Sequence, residues 1–389
     1  MDRVSGFEPG GWRFESSSMQ ILSLHSCSLV LKKISLLSHT HQTFADAIQA
    51  ELGKGHHHAS LVYEEFFRTG KITGNSPSFN NAKTLLSSIL ELTDTTTLQP
   101  FQEKHDGKTG KFLLKTADHL EIESVLIPMQ SGGTLCVSSQ VGCRMGCAFC
   151  ETGRMGLLRN LTPEEIVNQV FAARHLLGFD FRNIVFMGMG EPFDNYDAVM
   201  QAIRILNDPK GLAFGKRQIS ISTSGCVDGI ERLMGEGEHA PNLAVSINAP
   251  NDELRNRLMP VNRKYNLEKL HQTMQTYCEK TKRQILVAYV LMRDQNDTLE
   301  HADQLAAYLK NLDVKVNIIP YNPQSRDRFQ APDVEVQEAF ALRLREHGYY
   351  TLLRITKGQT IMAACGQLGN VKLRQEKRLA MLAEQGQEQ

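Results

Sequence analysis

From about residue 140 to residue 350 the sequence keeps switching between the two-residue period of a strand and the 3.6-residue period of a helix. Candidate strands are NIVFMGMG (183–190), RQISISTSG (217–225), LAVSINA (243–249), QILVAYVLM (284–292) and VKVNIIPYN (314–322). Candidate helices lie near 163–177, 197–207, 228–235, 252–258, 267–280, 299–311 and 333–347. Thr162-Pro163-Glu164-Glu165 supplies a capping threonine, a proline in the first turn and acid at the positive helix end. Strands separated by helical crossovers imply an α/β fold with a parallel sheet. Five or six units are too few for a closed eight-fold barrel. A partly open barrel fits, and the pattern alone also admits a flat doubly wound sheet. Both place ligands at the C-terminal strand ends. The polar residues there are Gly190 and Glu191, Ser222 to Gly225, Ser246 to Asn248, and Asn322.

The rest of the chain divides around this core. Residues 1–40 are Ser-rich with little periodicity and read as a disordered extension. Residues 41–107 show short helical patterns and read as a small helical accessory domain, with GKGHHHAS as a solvated loop. Residues 108–139 alternate as a β extension that leads the catalytic domain at 108–370, and 371–389 read as a basic and polar tail. With 41% hydrophobic and 22% charged residues, a wholly disordered chain is excluded. The 43 basic and 43 acidic residues cancel, so the totals neither demand nor exclude a nucleic-acid partner. No stretch reaches the roughly 18 consecutive apolar residues of a membrane span. The segment Met19 to Leu37 lacks a small-residue cleavage site. A cytoplasmic location, no membrane partner and a monomer are expected.

The cysteines carry the chemistry. Cys143, Cys147 and Cys150 form C-x3-C-x2-C on one short loop, with Gly142 and Gly146 to permit a tight backbone. Zinc in a structural site takes four ligands, and no second CxxC is present. A [4Fe–4S] cluster on three thiolates leaves one iron open for a cofactor. Phe149, before the last thiol, could shield it.

GCRMGCAFC resembles the signature of the radical S-adenosylmethionine superfamily, and GMGEP (188–192) resembles its acidic strand-end motif. More narrowly, LCVSSQVGC, FCETG, NIVFMGMGEP, ISTSG, APNDELR, a YNP turn and AACGQL together resemble the adenine C2-methyltransferases that act on 23S ribosomal RNA and, in one member, on transfer RNA. The resemblance runs from about 110 to 370. It implies a partial (β/α)6 barrel, a [4Fe–4S] cluster, two S-adenosylmethionine molecules per turnover, and an electron donor such as flavodoxin or ferredoxin.

The resemblance also assigns roles. Cys143, Cys147 and Cys150 become cluster ligands. Gly190, Glu191, Ser222, Ser246, Ile247, Asn248 and Asn322 become cofactor contacts, Glu191 gripping the methionine ammonium. Cys365 becomes the cysteine that carries the methyl group. Cys136 becomes its partner, which releases product through a transient disulfide with Cys365. Glu123 becomes the base, chosen over Glu121 by the pattern ESVLIP. One departure stands out: the family commonly has histidine where this chain has Asn248. An RNA footprint is expected from Arg144, Arg154, Arg159, Arg255, Arg257, Arg263 and Lys264, with Lys372, Arg374, Lys377 and Arg378 in the tail. Methylation at adenine C8 or of another RNA uses the same motifs. A non-catalytic iron–sulfur or zinc RNA-binding protein would need neither Cys136, Cys365 nor GMGEP.

Overall fold

Ten strands form one sheet and lie side by side in chain order. They are β1 (Pro100–Asp106), β2 (Thr109–Lys115), β3 (Glu121–Ile127), β4 (Thr134–Cys136), β5 (Asn183–Phe186), β6 (Ile219–Thr223), β7 (Asn242–Ser246), β8 (Ile285–Leu291), β9 (Val314–Pro320) and β10 (Thr351–Leu353). Strands β1 to β4 pair antiparallel. From β4 to β10 every pairing is parallel. The structure is a computed structural model, and it describes residues 33–129, 132–237, 240–324 and 328–370.

Each parallel crossover carries helix, as a parallel connection requires. The crossover helices begin with the short Glu151–Met155, followed by Pro163–Phe171, and end with Val334–Glu346. Thr162 caps the second through a reciprocal pair: its hydroxyl accepts from Glu165 N (3.2 Å) and Glu165 Oε2 accepts from Thr162 N (3.0 Å). In β6, Ile219, Ile221 and Thr223 are buried, while Ser220 and Ser222 turn to the other face. Residues of β3 to β6 and of β8 to β10 line one cavity, so the sheet curves around it. This is the partial (β/α)6 barrel with a β extension.

Four readings need correction or relocation. Residues 33–40, expected in the disordered extension, are built in: Ile34–Ser35 pairs with Thr93–Asp94, and Leu36 and Leu37 are fully buried. The three histidines are not a loop, because His56–Thr69 is a helix that starts with them. That helix and its neighbours, His41–Leu52 and Lys83–Leu92, share the main hydrophobic core. Phe66 stacks on Phe171 at 4.7 Å. Residues 100–106 belong to the sheet as its edge strand. Residues 1–32 and the tail at 371–389 lie outside the described residues.

Candidate active site

The three-thiol loop follows β4. Gln140–Val141 pairs with Arg159–Asn160 and closes the loop at its base. Gly142 has φ +80, and a Cβ there would fall 1.8 Å from the Gly156 carbonyl oxygen. A Cβ on Gly153 would meet Cys147 N at 2.9 Å. The loop therefore folds on itself only with glycine at these points. Burial pushes all three thiols up, Cys147 to about 12, and Cys150 adds to the rise at Cys143 and Cys147. They sit in one electrostatic neighbourhood with Glu191 and Arg255. A cationic centre would hold such thiols as thiolates. Among the described residues no three His, Cys, Asp or Glu side chains enclose a single metal ion. The donor set, three thiols on a glycine-hinged loop, fits an iron–sulfur cluster with an open corner.

The cofactor candidates gather at the same ends of the parallel strands. Gly190 has φ +102, and a Cβ there would meet the Gln140 Cβ at 2.6 Å. Gln140 Oε1 accepts from Glu191 N at 2.9 Å and fixes the turn. Glu191 Oε2 accepts from Ser224 N and Ser224 Oγ, both at 2.8 Å, and Oε1 accepts from Phe193 N at 3.2 Å. Burial raises the Glu191 carboxyl above its ordinary range, and the Ser224 donors oppose that rise. Ser220 lines the cavity, and Ser222 shares its face. Ser246 stands in register with Ala288, and Ala288 with the cavity-lining Asn317. Ile247 is fully buried.

Asn248 is occupied by the fold. It has φ +56, a conformation that asparagine tolerates better than most residues. Its Oδ1 accepts from Val290 N at 2.7 Å, and its backbone oxygen accepts from Asn296 Nδ2 at 2.8 Å. The side chain thus ties the end of β7 to β8.

A cavity of about 580 Å³ inside the curved sheet takes Cys136 from β4 and Cys365 from the far end of the chain, with Asn322 between β9 and the C-terminal segment. Asn322 Nδ2 donates to the Cys365 carbonyl at 3.0 Å. The next carbonyl, of Gly366, accepts from Glu151 N at 2.8 Å. The Cys365 turn is thereby fastened to the helix that follows Cys150. Burial pushes the Cys136 thiol up to about 12, the Cys365 charge adds to this, and Arg354 opposes it. Both cysteines are free thiols, so the disulfide the resemblance implies is not a resident cross-link.

Glu123 pairs across β2 with Leu113, and Val125 pairs with both Lys111 and Cys136. The register puts Lys111, Glu123, Val125 and Cys136 on one face. Lys111 Nζ lies 2.6 Å from Glu123 Oε2 as an ion pair and donates to the Met362 carbonyl at 3.0 Å. Glu121, on the same face, accepts from Asn370 Nδ2 at 3.2 Å.

One member of the expected RNA footprint, Arg255, is overturned, and four others are engaged in ion pairs. Arg255 is fully buried: Nε donates to Ile247 O (3.1 Å), Nη1 to Asn262 Oδ1 (2.8 Å), and Nη2 to Ser224 O (2.7 Å) and Ser246 O (3.0 Å). It clamps the ends of β6 and β7 and meets no solvent. Arg144 pairs with Asp194, Arg154 with Glu151, Arg159 with Asp118 and Glu165, and Lys264 with Asp228. Arg257 and Arg263 are exposed. Lys372, Arg374, Lys377 and Arg378 lie outside the described residues. The reading of the sequence missed Lys111, Gln140 and the clamp role of Arg255. Gln140 lies within LCVSSQVGC, and Arg255 within APNDELR.

This sheet, with three thiols on the loop after its first parallel strand, is the arrangement of a radical SAM protein, and the Radical SAM superfamily model matches residues 137–309. A solved radical SAM methyltransferase from Sphaerobacter thermophilus is 39% identical with a TM-score of 0.78, over 86% of this chain and 98% of that one. A relative from Protochlamydia amoebophila, named a probable dual-specificity RNA methyltransferase RlmN 1, is 62% identical over 344 residues, 88% of this chain and 96% of its own. A dual-specificity RNA methyltransferase RlmN from Geobacter sulfurreducens is 41% identical over 81% of this chain and 87% of its own. The chain belongs to the RlmN family of radical SAM proteins. The match over 344 residues is longer than everything from residue 110 to the C-terminus, so the likeness also takes in part of the N-terminal helical region.

Proposed function

We propose that the protein is a radical S-adenosylmethionine-dependent RNA methyltransferase that methylates adenine C2 in 23S ribosomal RNA and in transfer RNA. The observation that carries this reading is the meeting of Cys136 and Cys365 in one cavity, beside the loop of three thiols. Cys143, Cys147 and Cys150 hold a [4Fe–4S] cluster. Gly190, Glu191, Ser222, Ser246, Ile247, Asn248 and Asn322 hold S-adenosylmethionine, and Asn248 does so through its backbone, since its side chain serves β8. The bound cluster and cofactor supply the one-electron chemistry that adenine C2, which is not nucleophilic, requires.

The chain's own residues do the rest. Cys365 carries the methyl group on a turn fixed by Asn322 and Glu151. Once the carbon carried by Cys365 is joined to C2, Cys136 attacks the Cys365 sulfur: the S–S bond forms, the bond from that sulfur to the bridging carbon breaks with its electron pair going to the base, and the carbon takes up a proton as the methyl group. Glu123 accepts the proton that leaves C2. A thiol reductant returns both cysteines to the free state. Two cofactor molecules are used per turnover, one to load Cys365, and flavodoxin or ferredoxin supplies the electron. The protein works as a cytoplasmic monomer. Among the described residues no helix is long and apolar enough to cross a membrane.

The test is nucleoside mass spectrometry of RNA incubated with anaerobically reconstituted protein, cofactor and reductant. The expected product is 2-methyladenosine, absent with Cys365→Ala. A product that is 8-methyladenosine alone would overturn the C2 assignment, and no methyladenosine of either kind would overturn the enzyme reading.

A further inference from the structure

We infer that Arg354 and Lys357 form a phosphate-gripping rim at the mouth of the Cys136–Cys365 cavity, seating the backbone of the nucleotide whose base enters it. This rests on the RNA methyltransferase reading.

Arg354 lines the cavity and is half-buried. Its backbone is anchored, with Arg354 N donating to Ile318 O at 2.9 Å just beyond β10. Its guanidinium has no hydrogen-bond or carboxylate partner among the described residues. The arginines around the thiol loop are treated differently: Arg144, Arg154 and Arg159 are paired with carboxylates, and Arg255 is saturated by carbonyls. A partly exposed guanidinium whose five donors the protein leaves unused is available to an anion. Phosphate matches its planar fork.

Lys357 spans the opening. Its ammonium donates to the Pro128 carbonyl across the mouth, which leaves further N–H donors free. Next to these cations, Met129 and Ile355 line the cavity and are 49% and 85% exposed. Cations beside exposed apolar side chains suit a nucleotide, whose phosphate takes the charge and whose base passes the apolar edge. Beyond this rim lie Cys136 and Cys365. A base held in a folded RNA must leave its stack to reach them, and a fixed phosphate grip holds the backbone while it does so.

The experiment is a binding titration of the anaerobic holoenzyme with a synthetic RNA hairpin carrying an unpaired adenosine, repeated across salt concentration. Arg354→Ala should weaken binding roughly tenfold or more, as loss of a hydrogen-bonded charge contact does. It should also reduce the slope of log affinity against log salt by about one. Arg354→Lys should restore the slope, because the charge returns. The melting temperature of Arg354→Ala should stay near wild type, since the guanidinium bonds to no protein group. Wild-type protein that binds RNA with an affinity and salt slope matched by Arg354→Ala would overturn the rim alone. Wild-type protein that fails to bind the RNA would overturn the functional reading as well.

Discussion

Glu191 and Glu123 are both almost fully buried, at 3% and 5% exposure, but their partners differ in kind. Glu123 has an internal cation, Lys111, at 2.6 Å. Glu191 has neutral donors from Thr223, Ser224 and Phe193, and no Lys, Arg or His among the described residues pairs with it. Burying a carboxylate without a compensating charge is unfavourable. The first site is therefore complete within the chain, whereas the second is complete only when a cation binds. Under the proposed function this contrast suits Glu191 to an ammonium-bearing ligand, whereas the base role proposed for Glu123 rests on the family resemblance.

The largest effect should come from removing the internal cation. Lys111→Met leaves the Glu123 carboxylate buried and unpaired and should cost about 3–5 kcal/mol in denaturant unfolding. Adding Glu123→Gln should recover much of that loss. A double variant as unstable as the sum of its parts would break the pairing.

Glu191→Gln removes a buried charge that has no cation but sets an amide NH2 against a backbone N–H, so it should cost about 1 kcal/mol of stability, far less than Lys111→Met. Its affinity for S-adenosylmethionine, read by calorimetry, should fall roughly 10- to 100-fold, the worth of a charged hydrogen bond. Unchanged affinity would mean that the ammonium sits elsewhere.

The two sites should also separate by pH. The Glu191 carboxyl is raised above its ordinary 4.5 in the fold. Between that value and the raised one, the folded protein holds a proton that the unfolded chain has released. Stability of the cofactor-free protein is thus lost as pH rises through this window. An ammonium binds the ionised form, so cofactor affinity should climb through the same window and level off above it. Melting shifts with and without cofactor across pH would check this, and a flat or falling dependence would contradict it.

The smallest effect sharpens the Glu191 side. Ser224→Ala removes one neutral donor, should cost about 1 kcal/mol, and should move the pH midpoint of cofactor binding further up.

The two thiol groups show how much of the site could be read in advance. Cys143, Cys147 and Cys150 are neighbours in the chain, so spacing alone announced them. Cys136 and Cys365 meet only because β4 and the C-terminal turn border one cavity, and a family likeness was needed to join them. The parallel strands were visible because buried strands are apolar and periodic. Strand β1 was not, because as an exposed edge its QEKHD has no face to alternate. Strand β10 is three residues long and carries too little pattern. Arg255 was misread as surface because a charged residue in a helix looks solvated until the carbonyls that surround it are known.

The sequence by itself determined the α/β alternation, the thiol loop with its glycines, and the polar residues at the strand ends, because each is encoded within a few neighbouring residues. Only the tertiary structure decided which charges are spent inside the protein. Lys111 on Glu123, Arg255 on three carbonyls at two strand ends, and Arg354 left open at the cavity mouth depend on register and on curvature of the sheet. The physical reason is that a charge acquires its partner through space, and strands that bring two residues together place no mark on either one in the chain.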